Sequence, residues 1–536
     1  MNGTHVFSTS PAACQHLPVK KRRVRWMHKL FRHVKLAPRP HTPDQPPEKS
    51  RYEPSEKSAP LDFAYPLEND QEYKEFLHQY PEYRLTHPVD ALRKSDFSRL
   101  ERSGETYVDY MGGALYPESL ITKHADFLKD AVLGNTHSIN NSSQASSKCA
   151  SEARSAVLAF FQASSEYTVI FTMNASGALK LVGESYPFSG DNAFVLAVDS
   201  HNSVNGIREF AFAKGSHCAY IPSTPTGGFD SAIAEAILLK NKPKDLYAAP
   251  SLFALTGQSN ISNWKAPLGI TAYASSLGYH VLLDAAALAP STSFSLSDYP
   301  AIDAIAVSFY KMFGFPTGIG ALVAKKKFLG RLKRPWFAGG TVDVVQVPGK
   351  GFTRAEHLYE QFEDGTINYT MLPSITEGLR FLSTYLPYLP LRLSCLLDYL
   401  ISSLSRLQHD VSGKPVVQFL SRRPNPAERV SISRRTIGSR IARLAPFPGC
   451  TFEFCFVEPS GNLLPNAFIE YAASVNCVSL RTGCVCNAAR TNISGEVEQM
   501  LGRDTGVVRI SLGLASDFED VRRVVQFASL HRIIEG

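Results

Sequence analysis

An aspartate and a lysine follow two successive apolar segments of the chain. Asp284 ends the run 281–284, and Lys311 comes shortly after the run 304–307, just before a turn rich in glycine. A lysine amine can form a Schiff base with an aldehyde, and a carboxylate can keep a pyridine nitrogen protonated. The pair therefore predicts an enzyme that uses pyridoxal 5'-phosphate (PLP), attached to Lys311 and held at its ring nitrogen by Asp284.

A phosphate-binding segment is predicted between residues 172 and 180. It follows the strand-like run 168–171, contains several small residues and opens a predicted helix. Small side chains let the free N–H groups of a helix N-terminus approach a phosphate, and Ser176 adds a hydroxyl. His201 follows the next strand-like run, where its imidazole can stack on a pyridine ring and transfer a proton. A histidine of a surface loop is the alternative for that residue.

Two cysteines lie close together in the segment 481–487, which reads Arg-Thr-Gly-Cys-Val-Cys-Asn. One interpretation of Cys484 and Cys486 is half of a metal site, but no second cysteine pair or histidine cluster stands nearby to complete it, so no metal is predicted. Two structural thiols are a second interpretation. A nucleophilic thiol whose pKa is lowered by Arg481 fits the glycine-containing segment better.

Arg509 lies inside the apolar run 507–512. A buried guanidinium is costly without an anion beside it. A substrate carboxylate bound through two hydrogen bonds is the functional interpretation of Arg509, and a structural ion pair is the alternative.

The body of the chain alternates strand-like and helix-like segments. Helices are predicted at 151–162 and 266–277, between apolar runs of buried-strand type. This alternation predicts an α/β fold with a mostly parallel sheet, whose ligands bind at the carboxyl ends of the strands. From about residue 386 the pattern changes to that of a smaller α+β domain with strands at 450–457 and 506–512. The predicted division is a tail at 1–60, a large domain at 61–385 and a small domain at 386–536.

Charge is distributed unevenly over the 536 residues. Lys and Arg outnumber Asp and Glu by 12 to 4 in residues 1–58, whereas the remainder is balanced at 44 to 45. A neutral body argues against a nucleic-acid surface, and no apolar run is long enough to cross a membrane. Nine cysteines without framework spacing and the lack of an apolar leader favour a reducing compartment, so a cytoplasmic protein is expected.

The basic, proline-rich tail has three interpretations. It is a solvated disordered segment, a mitochondrial presequence, or a patch for nuclear import or surface binding. The proline spacing after residue 36 cannot support a helix, so that part is predicted to be a linker.

Three motifs together resemble the class V aminotransferase-like PLP family, and within it the PLP (cysteine desulfurase) domain of molybdenum cofactor sulfurases. The motifs are the segment 308–320, which begins Ser-Phe-Tyr-Lys, the segment Phe-Glu-Asp-Gly-Thr at 362–366 and the segment 481–487. The resemblance implies a fold-type-I PLP enzyme that works as a homodimer. It assigns to the cofactor the residues Ser176, His201, Asn260, Asp284, Ser308, Tyr310, Lys311 and Thr366, with Thr366 supplied by the partner subunit.

The resemblance also implies a reaction. Arg509 would bind the carboxylate of L-cysteine, and Cys486 would take its sulfur as a persulfide and leave alanine, with Cys484 beside it. The chain departs from the family at 484–490, where a third cysteine is missing, and sulfurases carry a further cofactor-binding domain that is not expected here. The sulfur acceptor is therefore open. A PLP-dependent lyase, decarboxylase or aminotransferase on another amino acid is the alternative, and a non-catalytic scaffold is disfavoured by the presence of both Lys311 and Asp284.

Overall fold

A computed structural model describes residues 70–225, 227–244, 250–421, 449–483 and 507–533. The strands within these ranges are β1 Thr106–Tyr107, β2 Tyr167–Thr172, β3 Ala193–Ala197, β4 His217–Ile221, β5 Ser251–Thr256, β6 Tyr279–Asp284, β7 Ala304–Ser308, β8 Gly320–Lys325, β9 Val342–Val345, β10 Phe352–Arg354, β11 Val417–Phe419, β12 Thr451–Phe456, β13 Val478–Ser479, β14 Arg481–Thr482 and β15 Val508–Ser511. The α-helices are α1 Gln71–Gln79, α2 Pro88–Asp96, α3 Arg99–Ser103, α4 Glu118–Asp130, α5 Asn141–Phe160, α6 Ala175–Ser185, α7 Asn202–Asn205, α8 Ile207–Ala213, α9 Ser231–Lys240, α10 Ile270–Ser276, α11 Phe309–Phe313, α12 Lys326–Leu329, α13 Leu372–Tyr385, α14 Leu389–Leu404, α15 Asn466–Val475 and α16 Phe518–Ser529.

A seven-stranded sheet has the strand order β2-β8-β7-β6-β5-β3-β4. Strand β8 is antiparallel to both of its neighbours, and the other strands are parallel to one another. Alternate residues face opposite sides, so Phe253 and Val281 belong to one hydrophobic cluster and Leu252 and Leu282 to another. Both faces of the sheet are covered, which explains why the strands are continuously apolar. The predicted α/β class is confirmed.

The later part of the chain forms a second, four-stranded antiparallel sheet in the order β11-β12-β15-β14. Its strands β12 and β15 are shorter than the predicted runs 450–457 and 506–512. The short strand β1 pairs in parallel with β13, so a segment from the first part of the chain joins the last part. This pairing brings residues near 107 and 479 side by side.

Two helix boundaries differ from the predictions for physical reasons. Helix α5 begins at Asn141, ten residues before the predicted start, because the side chain of Asn140 caps it by accepting from the N–H of Ser143. Helix α10 begins at Ile270 instead of 266, since Pro267 restricts the residue before it to extended backbone.

Helix α14 is buried along nearly its whole length. Its fully buried Arg392 donates to Asp90 at 2.6 Å, so the helix is a packed core element. Within the part of the chain that the structure describes, no helix has the length and apolarity that crossing a bilayer requires. All residues that the structure describes belong to the unit Pro66–Gly536. The predicted tail 1–60 lies outside them, and the boundary between residues 385 and 386 stays a prediction.

Candidate active site

Asp284 and Lys311 lie at the same edge of the seven-stranded sheet. Asp284 is the last residue of β6, and Lys311 lies in α11, which directly follows the neighbouring parallel strand β7. Helix α11 ends at Gly314, which has a φ of 81°, and a Cβ at that position would lie 2.3 Å from the amide nitrogen of Tyr116. Only glycine fits this close contact, so the turn that follows Lys311 is fixed by its sequence.

The imidazole of His201 is the third group at this edge, after β3. Burial lowers its pKa below the ordinary value, while the nearby Asp284 carboxylate raises the pKa and the Lys311 ammonium lowers it. The Nδ1 atom of His201 accepts from the N–H of Ser203 at 3.1 Å. The neutral ring therefore carries its proton on Nε2. The charges of Asp284 and Lys311 thus both act on the His201 ring, as expected for three residues at one edge of the sheet.

The start of helix α6 lies beside the strand that leads to Lys311. Its first residue, Ala175, donates its N–H to Oγ of the buried Ser308 at 2.8 Å. The side chain of Asn174 caps the helix by accepting from the N–H of Gly177 at 2.9 Å. Ser176 is exposed, and its hydroxyl contacts that of Ser203 at 2.6 Å. The hydroxyl groups of Ser176 and Ser308 are therefore assembled at the start of α6, where a phosphate would be bound.

Buried polar atoms without partners lie after β5, next to Asp284. Thr256 is paired in register with Asp284, and its Oγ1 has no hydrogen-bond partner in the structure. Both amide atoms of Gln258 are likewise buried and unpartnered, and Asn260 is buried close by. Buried polar groups are normally satisfied, so this arrangement fits a polar ligand that supplies the missing bonds. Sequence reasoning missed Thr256 and Gln258, although their position at a strand end was a usable signal.

Arg509, on β15, is only 2% exposed. Its Nη2 donates to Oδ1 of Asp109 at 2.8 Å, and its Nη1 reaches the carbonyl oxygen of Asn260 at 3.5 Å. Arg509 therefore forms a structural ion pair with Asp109, which was the alternative interpretation of this residue. Its Nε is buried and has no hydrogen-bond partner in the structure. The role of Arg509 in substrate binding stays a prediction.

Tyr310 precedes Lys311 in α11. Its carbonyl oxygen accepts from the N–H of Ala114 at 3.1 Å, and its ring lies close to Gly113. The chain segment around residue 113 thus packs directly on the helix that carries Lys311.

Thr366 lies in a loop that is anchored by an ion pair. Glu363 accepts two hydrogen bonds from Arg154, at 2.7 and 2.6 Å, and a third from the N–H of Phe171 at 2.7 Å. Thr366 itself accepts from the side chain of Asn135 at 3.2 Å and lines a cavity of about 360 Å³. Its predicted contact with a phosphate of the partner subunit is not tested by a single chain.

Cys484 and Cys486 lie outside the described residues, which stop at Gly483 and resume at residue 507. Across the described ranges, no group of three or more His, Cys, Asp or Glu side chains is arranged to hold a metal ion.

Comparison with known proteins places the chain among PLP enzymes. The profile described as aminotransferase class-V matches residues 106–388. Molybdenum cofactor sulfurase of Arabidopsis thaliana is 30% identical over 489 aligned residues, which cover 82% of this chain and 57% of the relative. The chain thus spans little more than half of the length of that relative.

Two solved structures resemble the fold. The apo cysteine desulfurase of Thermococcus onnurineus NA1 superposes with a TM-score of 0.64 at 21% identity, over 82% of this chain and 97% of that chain. A C-DES mutant with glycine covalently linked to the PLP cofactor has a TM-score of 0.58 at 18% identity, over 81% of this chain and 98% of that chain. At these identities the similarity establishes the fold.

Proposed function

The chain belongs to the class-V aminotransferase family of PLP enzymes, and from this premise we propose that it is a cysteine desulfurase. It would take the sulfur of L-cysteine, keep it as a persulfide and release alanine. The observation that carries the proposal is the placement of Asp284, Lys311 and His201 after the parallel strands β6, β7 and β3, at the sheet edge beside the start of α6. The similarity to molybdenum cofactor sulfurase supports the choice of reaction within the family.

The residues present fit PLP, because each polar part of the cofactor has a matching group. Lys311 would be its attachment point and Asp284 the partner of its ring nitrogen. The phosphate would lie at the start of α6, near Ser176 and Ser308. Thr256 and Gln258 have buried polar atoms without partners, and the cofactor would supply hydrogen bonds to them. The other residues proposed to bind the cofactor are Asn260, Tyr310 and, from the partner subunit, Thr366. When bound, PLP withdraws electrons from the α-carbon of the amino acid.

Three side chains would act on the cofactor ring and on the α-proton of the substrate. Asp284 is 7% exposed. Its Oδ1 accepts a hydrogen bond from the N–H of Ala286 at 3.1 Å, and this bond fixes the orientation of the carboxylate. Lys311 would remove the α-proton of the substrate, because its amine is brought to the same edge by α11. His201, held neutral by burial, would stack on the ring without adding a second positive charge beside Lys311.

The remaining steps concern the two ends of the substrate. Arg509 would bind the carboxylate through the donors that Asp109 does not use. The thiolate of Cys486 would attack the sulfur of cysteine, so that a sulfur–sulfur bond forms while the carbon–sulfur bond breaks. The electron pair of the broken bond stays with carbon, which takes up protons and leaves as alanine.

The experiment that tests this function is incubation of the PLP-loaded protein with each of the common L-amino acids in the presence of a thiol reductant. The proposal expects L-cysteine to yield alanine and sulfide in equal amounts. Release of carbon dioxide, ammonia or a keto acid from another amino acid, without alanine from cysteine, would instead support the lyase, decarboxylase or aminotransferase alternative.

We further propose that the protein is a homodimer with an as yet unidentified sulfur acceptor. The first point follows from the role proposed for Thr366, which lies in the loop anchored by Glu363 and would reach the phosphate bound by the partner subunit.

A further inference from the structure

Asp109 lies between two arginines that come from different strands. Its Oδ1 accepts from Nη2 of Arg509 at 2.8 Å, and its Oδ2 accepts from Nε and Nη2 of Arg481 at 3.0 and 2.9 Å. Arg481 is the first residue of β14 and precedes Cys484 by three positions. One carboxylate therefore contacts both the proposed substrate-binding arginine and the residue from which the cysteine-containing segment begins.

The arrangement of charge explains why an anion is needed here. Arg481 and Arg509 are directly paired in register on the antiparallel strands β14 and β15. Like charges in such a position repel each other, and Asp109 offsets this repulsion. Glu453 on β12 is fully buried and is paired in register with Arg509 from the other side, so a second carboxylate also balances the guanidinium of Arg509.

The backbone holds Asp109 firmly. Its neighbours pair with Ser511 on β15: the N–H of Ser511 donates to the carbonyl of Val108 at 2.7 Å, and the N–H of Met111 donates to Oγ of Ser511 at 2.8 Å. A Cβ added at Gly112 would lie 2.4 Å from Oδ2 of Asp109 and 2.7 Å from Nη2 of Arg481. Glycine at position 112 therefore leaves the space in which the carboxylate and the guanidinium meet.

The same segment also contacts the helix of Lys311. The N–H of Ala114 donates to the carbonyl of Tyr310, and the hydroxyl of Tyr107 donates to the carbonyl of Gly113 at 2.8 Å. The position of Asp109 is thus defined relative to Lys311 as well as to Arg509.

We infer that Asp109 is a positioning residue for the carboxylate of the amino-acid substrate. It occupies Nη2 of Arg509, and it leaves Nε without a protein partner and Nη1 with one long contact to Asn260. A guanidinium held at Nη2 keeps a fixed orientation, which reduces the entropy lost when a carboxylate binds at its remaining N–H groups. This inference deepens the proposed function and rests on it, because it requires that Arg509 bind the substrate carboxylate.

The experiment compares two amines that differ only in the carboxylate. L-Alanine and ethylamine are titrated separately into the PLP-loaded full-length protein, and binding is followed by the change in cofactor absorbance. In Asp109→Asn the dissociation constant of L-alanine should rise about 10-fold or more, a loss of the size that follows removal of a residue that orients a metal ligand. The dissociation constant of ethylamine should stay within about twofold of the wild-type value.

The matched control is Asp303→Asn. The side chain of Asp303 is 15% exposed, against 14% for Asp109, and it pairs with Lys325 at 3.1 Å at the opposite edge of the sheet. This variant should bind both amines as the wild type does. The double variant Asp109→Asn/Arg509→Gln should bind L-alanine no more weakly than Arg509→Gln alone, because Asp109 acts through Arg509.

Three outcomes would overturn the inference: unchanged L-alanine binding in Asp109→Asn, equal weakening for both amines, or additive losses in the double variant. If Asp109→Asn does not fold, Asp109→Glu keeps the charge and should give a smaller loss that is again confined to L-alanine. A protein that binds L-alanine through Asp109 and Arg509 but makes no alanine from cysteine would refute the desulfurase proposal and leave this inference standing.

Discussion

Ser308 accepts a hydrogen bond from the N–H of Ala175 at 2.8 Å, and this contact joins the strand that leads to Lys311 to the first residue of α6. The predicted phosphate site and the predicted attachment point of the cofactor are therefore linked by one buried hydroxyl. Because phosphate and ring are parts of one small molecule, a shift between these two elements would weaken the binding of both.

Ser308→Ala is accordingly expected to lower the affinity for PLP by about 10-fold, since it leaves the Ala175 N–H unsatisfied and removes a hydroxyl from the phosphate site. Equilibrium binding of PLP, followed by absorbance, measures the effect. Ser185→Ala is the matched control, because Ser185 lies in α6 and its buried hydroxyl has no partner. Equal affinity in wild type and Ser308→Ala would show that this hydroxyl does not support the phosphate.

Lys311 is expected to be the single site of covalent attachment. Reduction of the PLP-loaded protein with borohydride, followed by peptide mapping, should place the label on Lys311. The competing amine is Lys265, whose pKa burial lowers to about 8 and whose Nζ donates to Thr292 at 2.6 Å. A label on Lys265, or one retained in Lys311→Arg, would refute the assignment.

His201 should contribute to the pH dependence of stability. Burial is the main cause that lowers its pKa in the folded protein, so the unfolded chain takes up a proton near pH 6.5 while the folded chain does not. The free energy of unfolding is therefore expected to fall as the pH falls below about 6.5. His201→Gln should make this decline shallower in urea unfolding of the cofactor-free protein between pH 5 and 8. An unchanged slope in His201→Gln would contradict the prediction.

Thr366→Ala should weaken PLP binding without changing the size of the particle. The protein is expected to behave as a dimer in light scattering, because the resemblance assigns Thr366 to the phosphate of the partner subunit. The anchoring pair of Arg154 and Glu363 remains intact in this variant, so the loop should keep its position. An active monomer would refute the dimer, and unaltered PLP affinity would refute the role of Thr366.

Residues that follow strands could be located from the sequence. Asp284, Lys311 and His201 were predicted to lie near one another because apolar runs mark the parallel strands, and the carboxyl ends of such strands meet at one edge. The structure brings these three together. The class of fold was predictable for the same reason.

Contacts between distant segments could not be predicted in this way. Asp109 meets Arg481 and Arg509 only because β1 pairs with β13 and β14 pairs with β15, and no local pattern specifies those pairings. The position of Gln258 after a strand marked it as a candidate site residue, but its lack of hydrogen-bond partners could not be predicted, since burial without a partner is a property of the packed protein.

The central claim is that a cysteine thiolate takes sulfur from L-cysteine, and Cys486→Ser tests it most directly. The variant should still bind L-cysteine, seen as a change in cofactor absorbance, because Lys311, Asp284 and Arg509 are untouched. Alanine formation should fall by roughly 100-fold or more, since a serine hydroxyl stays protonated at neutral pH and attacks sulfur poorly. Cys484→Ser should lose less. Alanine formation at the wild-type rate in Cys486→Ser would contradict the account.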